Sequence, residues 1–134
     1  MNIKNNIAIL CVDDERIILD SLKIQLEREF KNNFLFEYAQ DPEEALEIID
    51  ELILEKVDVL LVVSDYQMPG MNGDQFVATL KVKLPNVNIV MLTGQMPEDV
   101  KLKLLNINIV LKVISKPWNE FELTGLIYKL LSHE

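Results

Sequence analysis

Chemically capable side chains follow four apolar runs of this sequence, each at the C-terminal end of its run. The runs span 7–12, 57–63, 87–92 and 109–114, and the groups that end them are Asp13-Asp14-Glu15, Ser64-Asp65, Thr93-Gly94 and Ser115-Lys116-Pro117. In an open parallel sheet such ends lie along one edge, where ligands bind. Two carboxylates about 5 Å apart repel by roughly 3 kcal/mol at an effective dielectric constant near 20, so the three aspartates require positive charge.

A divalent cation would supply that charge, and an all-oxygen site that keeps several waters favours Mg²⁺ or Mn²⁺. Lys116 would bring a second positive charge as a compact ammonium suited to a phosphoryl oxygen, and Thr93 offers one hydroxyl donor. The residue types therefore predict a site for a metal ion and a phosphoryl group.

The elements that must position these residues alternate as strand and helix five times. Ile18, Leu22 and Leu26 recur at helical spacing after the first run, and Asp41 with Glu44 forms a capping-box pattern around Pro42. The third run is apolar on both faces, as expected for a central parallel strand that is covered on both sides. Five βα units predict one α/β domain over residues 1–134, a doubly wound five-stranded parallel sheet with helices on both faces.

Composition excludes several classes of protein. The chain has 134 residues and a formal net charge of −9, which argues against direct contact with nucleic acid because that contact needs clustered Lys and Arg. The one cysteine, Cys11, lies inside an apolar run and is predicted to be a buried, inert thiol. We find no signal peptide and no apolar stretch long enough to span a membrane, so we expect a cytoplasmic protein without membrane contact.

Each motif has an ordinary structural explanation when it is taken alone. An acidic group such as Asp13-Asp14-Glu15 is favourable at a helix N-terminus, and Asp65 could form an Asx turn. Thr93-Gly94 would suit any strand-to-turn junction, and Lys116 could simply be solvated. The four features occur together, each at the end of a strand in a chain of five βα units. A shared site explains this combination much better than four separate structural roles do.

In this combination the sequence resembles the receiver domain of two-component response regulators over essentially its whole length. Five separated elements match in order, namely Asp13-Asp14, Asp65 with the following Met68-Pro69-Gly70 and Asn72-Gly73, Thr93, and Lys116-Pro117. The resemblance implies the flavodoxin-like strand order 2-1-3-4-5. It also implies phosphorylation-dependent signalling, in which a sensor histidine kinase transfers a phosphoryl group to Asp65 in the presence of Mg²⁺.

The resemblance further implies a role for each site residue. Mg²⁺ would be bound by the side chains of Asp14 and Asp65 and by the backbone carbonyl of Gln67, with Asp13 acting through water. Lys116 and Thr93 would contact the phosphoryl group. The product would be a mixed anhydride that hydrolyses, so the chain would be no enzyme beyond its own phosphoryl transfer and aspartyl-phosphate hydrolysis.

The sequence departs from the family pattern at one position. Receivers usually carry Tyr or Phe three positions before the lysine, a ring that turns inward on activation, whereas this chain has Val113. We therefore expect the signal to pass through the loop from Gly94 to Glu98 and the helix that follows. The face formed by the fourth helix, fifth strand and fifth helix would then bind a downstream protein, an output domain or a second copy of the chain.

Three other classes of protein share part of this pattern. Phosphatases of the haloacid dehalogenase type need an acidic residue two positions after the nucleophile, and Gln67 stands there. A flavin-binding protein of the flavodoxin type needs a phosphate loop after the first strand, where Asp13-Asp14-Glu15 would repel the phosphate. A receiver-fold interaction module that does not depend on phosphorylation remains the serious alternative, and only Val113 favours it.

Overall fold

Five strands and five helices alternate along the part of the chain that the structure, a computed structural model, describes: residues 6–94, 96–106 and 109–132. The strands are β1 Ile7–Val12, β2 Leu35–Ala39, β3 Asp58–Ser64, β4 Asn88–Thr93 and β5 Lys112–Ser115. The helices are α1 Arg16–Phe30, α2 Pro42–Leu54, α3 Gly73–Lys83, α4 Glu98–Asn106 and α5 Glu120–Ser132.

All strand pairs are parallel, and the sheet has the order β2-β1-β3-β4-β5. This confirms the predicted α/β class and strand order. Central β3 pairs with β1 through Val12↔Ser64 and with β4 through Ser64↔Met91. The C-terminal ends of β1, β3, β4 and β5 therefore lie side by side, as the placement of the acidic residues requires.

Both faces of the sheet are covered by helices, because side chains alternate along each strand. Ala8, Leu10 and Val12 of β1 pack in a cluster with buried residues of α2, α3 and α4. Ile9 and Cys11 pack in a second cluster, with buried residues of α1 and α5. These two layers fix the sheet from both sides, so the residues at its C-terminal edge rest on a packed support.

Helix starts follow the sequence signals, with one change of partner. Asp41 accepts a hydrogen bond from the Glu44 amide at 2.8 Å, as its capping position predicted. The Glu44 carboxylate, however, accepts from the Gln40 amide rather than from that of Asp41, so the expected reciprocal box is displaced by one residue. The structure adds a cap at α3, where Asn72 accepts from the Gln75 amide at 2.8 Å.

The fifth strand is shorter than the apolar run that predicted it. Only Lys112–Ser115 forms β5, and residues 109–111 lie outside the strand. The Leu111 amide already donates to the Ile89 carbonyl at 2.8 Å, so the chain reaches β4 just before regular pairing begins. The sequence also did not predict the 3-10 turn over Lys31–Asn33 that follows α1.

Cys11 is fully buried in β1, which confirms the sequence-based prediction. Burial raises the pKa of its thiol to about 12, and the nearby Glu27 charge adds to this rise. The thiolate is therefore not available near neutral pH. Among the described helices, none combines the length and the apolar character that a membrane crossing requires.

Candidate functional site

The acidic triplet begins where β1 ends. The Asp13 amide donates to the Ala39 carbonyl at the end of β2, at 3.1 Å, and the Asp13 side chain is almost fully buried. Its Oδ1 accepts from the Glu15 amide at 2.9 Å, which leads the chain into α1. Asp14 and Glu15 are exposed. One carboxylate is thus buried at the edge of the sheet while its two neighbours reach solvent.

Asp65 stands beside this triplet at the end of the central strand. Its amide donates to the Val12 carbonyl at 3.1 Å, so the backbones of β1 and β3 remain paired up to the site. The side chain is 7% exposed, and its Oδ1 accepts from the Gln67 amide at 3.2 Å. Carboxylate oxygens of Asp13, Asp14, Glu15 and Asp65 all lie within 4.8 Å of one another.

Lys116 is the cation that contacts this carboxylate cluster among the described residues. Its Nζ lies 2.7 Å from Asp13 Oδ2, 3.1 Å from Asp65 Oδ2 and 3.5 Å from Glu15 Oε1. Its backbone amide donates to the Thr93 carbonyl at 3.0 Å, so the ends of β4 and β5 position it together. The ammonium therefore bridges the two buried aspartates.

The balance of burial and charge shifts two pKa values upward. Burial raises the pKa of Asp13, and its hydrogen bonds with Lys116 and the Glu15 amide counteract this only in part. Burial alone would lower the pKa of Lys116, but its hydrogen bonds to Asp13 and Asp65 outweigh burial and raise it. Lys116 is therefore charged at neutral pH, and the cluster remains short of positive charge.

A divalent cation fits this cluster by the chemistry of its donors. Four carboxylates within 4.8 Å of one another provide only oxygen atoms, two of the residues are exposed to water, and one lysine does not neutralise them. Hard cations such as Mg²⁺ prefer oxygen donors and retain several waters. The predicted ligands Asp13, Asp14 and Asp65 are thus brought together, and Gln67 follows in the loop after Asp65.

A cleft of about 450 Å³ lies next to this cluster, between the end of β4, the start of α4 and β5. Thr93 and Val113 line it, together with Gln67, Gly94, Met96, Pro97, Glu98, Lys101 and Ser115. Thr93 is buried, and Val113 pairs with Met91 across the β4–β5 ladder. Val113, which stands where the family pattern has an aromatic ring, thus lines this cleft with a small side chain.

Sequence reasoning did not include Glu15 among the site residues. The structure brings its carboxylate into the acidic cluster and within 3.5 Å of the Lys116 ammonium. Its position directly after Asp13-Asp14, in the acidic triplet that ends the first apolar run, was the available signal, but no role in binding was assigned to it. The other predicted residues lie at the C-terminal edge of the sheet, except Val113, which lies within β5.

A family model described as "Response regulator receiver domain" matches residues 9–128. The chain belongs to this family. The receiver is 35% identical over 122 residues to the transcriptional regulatory protein YvrH of Bacillus subtilis (strain 168), a match that covers 91% of this chain and 48% of that protein. It is 30% identical over 124 residues to the uncharacterized transcriptional regulatory protein YesN of the same organism, covering 92% of this chain and 32% of YesN.

A solved structure supports the same assignment for the receiver fold. The response regulator receiver domain protein (CheY-like) from Methanospirillum hungatei JF-1 superposes with a TM-score of 0.78 at 29% identity, covering 94% of each chain. The receiver spans about half or less of the two curated relatives. Receiver domains are signalling modules of response regulators.

Proposed function

We propose that this receiver, taken as one domain over residues 1–134, accepts a phosphoryl group from a sensor histidine kinase onto Asp65 in the presence of Mg²⁺ and signals in that form. The observation that carries the proposal is the pair of contacts around Asp65. One carboxylate oxygen accepts from the Gln67 amide, and the other lies 3.1 Å from the Lys116 ammonium within a cluster of four carboxylates. This environment suits a nucleophile that must meet an anionic phosphoryl group.

Phosphoryl transfer depends mainly on positioning and on neutralising charge. An Asp65 carboxylate oxygen attacks the phosphorus, the bond from phosphorus to the histidine nitrogen of the kinase breaks, and the nitrogen keeps the electron pair. Lys116 neutralises a phosphoryl oxygen, and the Thr93 hydroxyl donates a hydrogen bond to another. Asp14, Asp65 and the Gln67 carbonyl would hold Mg²⁺, or Mn²⁺, with Asp13 acting through water. The metal, when bound, supplies positive charge for the transferring group.

Phosphorylation with a small-molecule donor tests this proposal. Wild-type protein incubated with Mg²⁺ and acetyl phosphate should gain one phosphoryl group by intact-mass spectrometry. Asp65→Asn should gain none, because an amide is a poor nucleophile and lacks the charge that binds metal. Asp20→Asn, which changes an exposed aspartate on α1, is the matched control and should be modified like wild type. Equal modification of Asp65→Asn and wild type would place the acceptor elsewhere.

Activation should be transmitted through the start of α4 rather than through an aromatic switch. Added negative charge at Asp65 draws the Thr93 hydroxyl towards it, because the donor gains a charge-assisted hydrogen bond. Val113 has one stiff side-chain torsion and cannot swing between buried and exposed positions. The displacement should therefore be taken up by the loop from Gly94 to Glu98, of which residue 95 lies outside the described part of the chain, and by α4, beside the cleft described above.

Beryllofluoride, a stable phosphoryl mimic, tests this route. We expect amide chemical shifts to change both near Asp13 and Asp65 and across residues 94–105. Mg²⁺ alone serves as the control, since it should perturb the acidic cluster and leave α4 unchanged. A response confined to residues 13–15 and 65–70 would show that this domain does not signal through α4.

The face built from α4, β5 and α5 is proposed to bind the downstream partner, whether an output domain, a separate protein or a second copy. Lys101, Lys103, Lys112 and Lys129 lie on these elements of an acidic chain, and exposed Leu102 and Leu111 lie among them. The partner must bind the phosphorylated form more tightly, since otherwise phosphorylation would not shift the population. The proposal places this signalling in the cytoplasm, without direct contact with nucleic acid or membrane.

An interaction module that works without phosphorylation is the second candidate function. Val113 favours it, because the chain lacks the ring that usually reports the state of the acceptor. The acidic cluster and its bridging lysine oppose it, since an interaction module has no need for buried like charges. Absence of any adduct on wild type with acetyl phosphate and Mg²⁺ would favour this second function.

A further inference from the structure

The first residue of α3, Gly73, makes an unusually close approach to the residue that follows the acceptor. A Cβ atom added at Gly73 would lie 2.8 Å from the backbone oxygen of Tyr66 and 2.9 Å from its Cε1 atom, and closer still to Cδ1. The oxygen cannot rotate away as a flexible side chain could. The Tyr66 hydroxyl also lies 3.4 Å from Asp74 Oδ2. Tyr66 therefore contacts the start of α3 through both its backbone and its ring. Only glycine leaves enough space there.

The Tyr66 oxygen belongs to the same planar peptide unit as the Gln67 amide nitrogen. That nitrogen donates to Asp65 Oδ1 at 3.2 Å, while Lys116 contacts Oδ2 at 3.1 Å. The two oxygens of the acceptor carboxylate are therefore held by two different partners. Any displacement of the Tyr66 oxygen moves the Gln67 amide with it, because the peptide plane is rigid, and this changes the orientation of the Asp65 carboxylate.

We propose that Gly73 is a positioning residue for the Asp65 carboxylate, since its missing Cβ allows the Tyr66–Gln67 peptide to lie against α3 with its N–H directed at Asp65 Oδ1. The inference rests on the proposed function, in which Asp65 is the nucleophile. It assigns to Gly73 a role in the rate of phosphorylation rather than in the stability of α3. The contact acts through the peptide backbone, and the Tyr66 ring is secondary.

The direct test compares Gly73→Ala with Gly125→Ala. Gly125 is an exposed glycine within α5 with no atom near an added Cβ, so its substitution controls for the general effect of alanine in a helix. Relieving the contact requires a shift of roughly half an ångström, and misplacement on this scale lowers rates on the order of tenfold or more. We expect Gly73→Ala to lose that factor in modification rate with saturating acetyl phosphate and Mg²⁺, and Gly125→Ala to match wild type. An unchanged rate for Gly73→Ala would overturn the proposal.

A double variant separates the backbone contact from the ring contact. Tyr66→Val removes the ring but leaves the backbone oxygen in the path of the new methyl group. We therefore expect the double variant, Gly73→Ala with Tyr66→Val, to be modified more slowly than Tyr66→Val alone. The factor should equal the one that separates Gly73→Ala from wild type. Full recovery of the rate in the double variant would show that the ring is what matters, and would overturn the backbone mechanism.

An NMR measurement keeps the inference independent of phosphorylation. In Gly73→Ala the Gln67 amide proton should shift upfield and exchange faster with solvent, as expected when a hydrogen bond to a carboxylate weakens. The same resonance should shift upfield in Asp65→Ala, which removes the acceptor and can be measured even if Gly73→Ala fails to fold. An unchanged Gln67 resonance in Asp65→Ala would overturn the inference. If wild type is not phosphorylated but the Gln67 shifts occur, the proposed function fails and the positioning role stands.

Discussion

Lys116→Met is expected to lower the free energy of unfolding of the metal-free protein by about 3 kcal/mol, a decrease in melting temperature of about 10 °C for a chain of this length. The ammonium lies 2.7 Å from Asp13 and 3.1 Å from Asp65, and all three side chains are mostly buried. Its loss leaves two buried carboxylates facing each other without a counter-charge. Urea or thermal unfolding in the presence of a chelator measures the effect.

Lys112→Met is the matched control for this experiment. Lys112 begins β5, the strand that Lys116 follows, but its ion pair with Glu122 is exposed on both sides, so its removal should change stability by less than about 1 kcal/mol. Mg²⁺ should restore much of the stability of Lys116→Met, because a divalent cation replaces the missing charge. Equal losses in the two variants, with no effect of Mg²⁺, would show that the carboxylates in the cluster do not repel one another appreciably.

The sign of the pH dependence follows from the raised pKa of Asp13. A carboxyl whose pKa is higher in the folded than in the unfolded state binds its proton more tightly when folded. Its contribution to stability therefore falls as pH rises from the ordinary aspartate range through the raised value. Without Lys116 this pKa rises further, so the stability deficit of Lys116→Met should shrink on mild acidification.

Phe76→Ala is expected to cost about 4 kcal/mol in the free energy of unfolding, the largest loss among the substitutions considered. Phe76 is fully buried on α3, in the cluster that contains Val12 at the end of β1 and Met68 in the loop after Asp65. Truncation removes apolar contacts and leaves a cavity beneath the acidic edge of the sheet. Chemical unfolding with a linear fit to denaturant concentration gives the value.

Phe121→Ala provides the comparison, since it removes the same side-chain atoms at a position that is 72% exposed. Its effect should stay within about 0.5 kcal/mol. A comparable loss at both positions would mean that Phe121 is buried in solution by a contact between molecules, and a negligible effect at Phe76 would contradict the packing described for α3.

The sequence predicted the fold well because the strand signals were strong and unambiguous. Runs such as 57–63, apolar on both faces, identify a central parallel strand, and this run ends one residue before β3 does. The fifth run predicted too long a strand, because Ile109 and Val110 pack against the core without joining the ladder and Leu111 is exposed. The Glu44 carboxylate accepts from the Gln40 amide instead of the adjacent Asp41 amide, a choice that the capping-box pattern does not specify.

The acidic edge could be predicted because parallel strands must end together, so the residues after each strand converge. Contacts that depend on distances of a few tenths of an ångström could not be predicted from the sequence. The approach of Gly73 to the Tyr66 carbonyl is not visible in the sequence, where Asn72-Gly73 is only part of the motif that follows Asp65. The entry of Glu15 into the cluster depends on how α1 begins. These details arise from packing, which a pattern of residue types does not encode.

The strand order has a consequence for how quickly the chain reaches its folded state. Ile7 pairs with Asp58, and Val62 with Ile89, so the centre of the sheet joins segments that are far apart in the sequence. No neighbouring pair of described strands can form first as a hairpin, because all run parallel. Such non-local pairing slows folding and leaves apolar strands exposed during it. The net charge of −9 opposes aggregation at this stage, since partly folded chains of the same charge repel one another in solution.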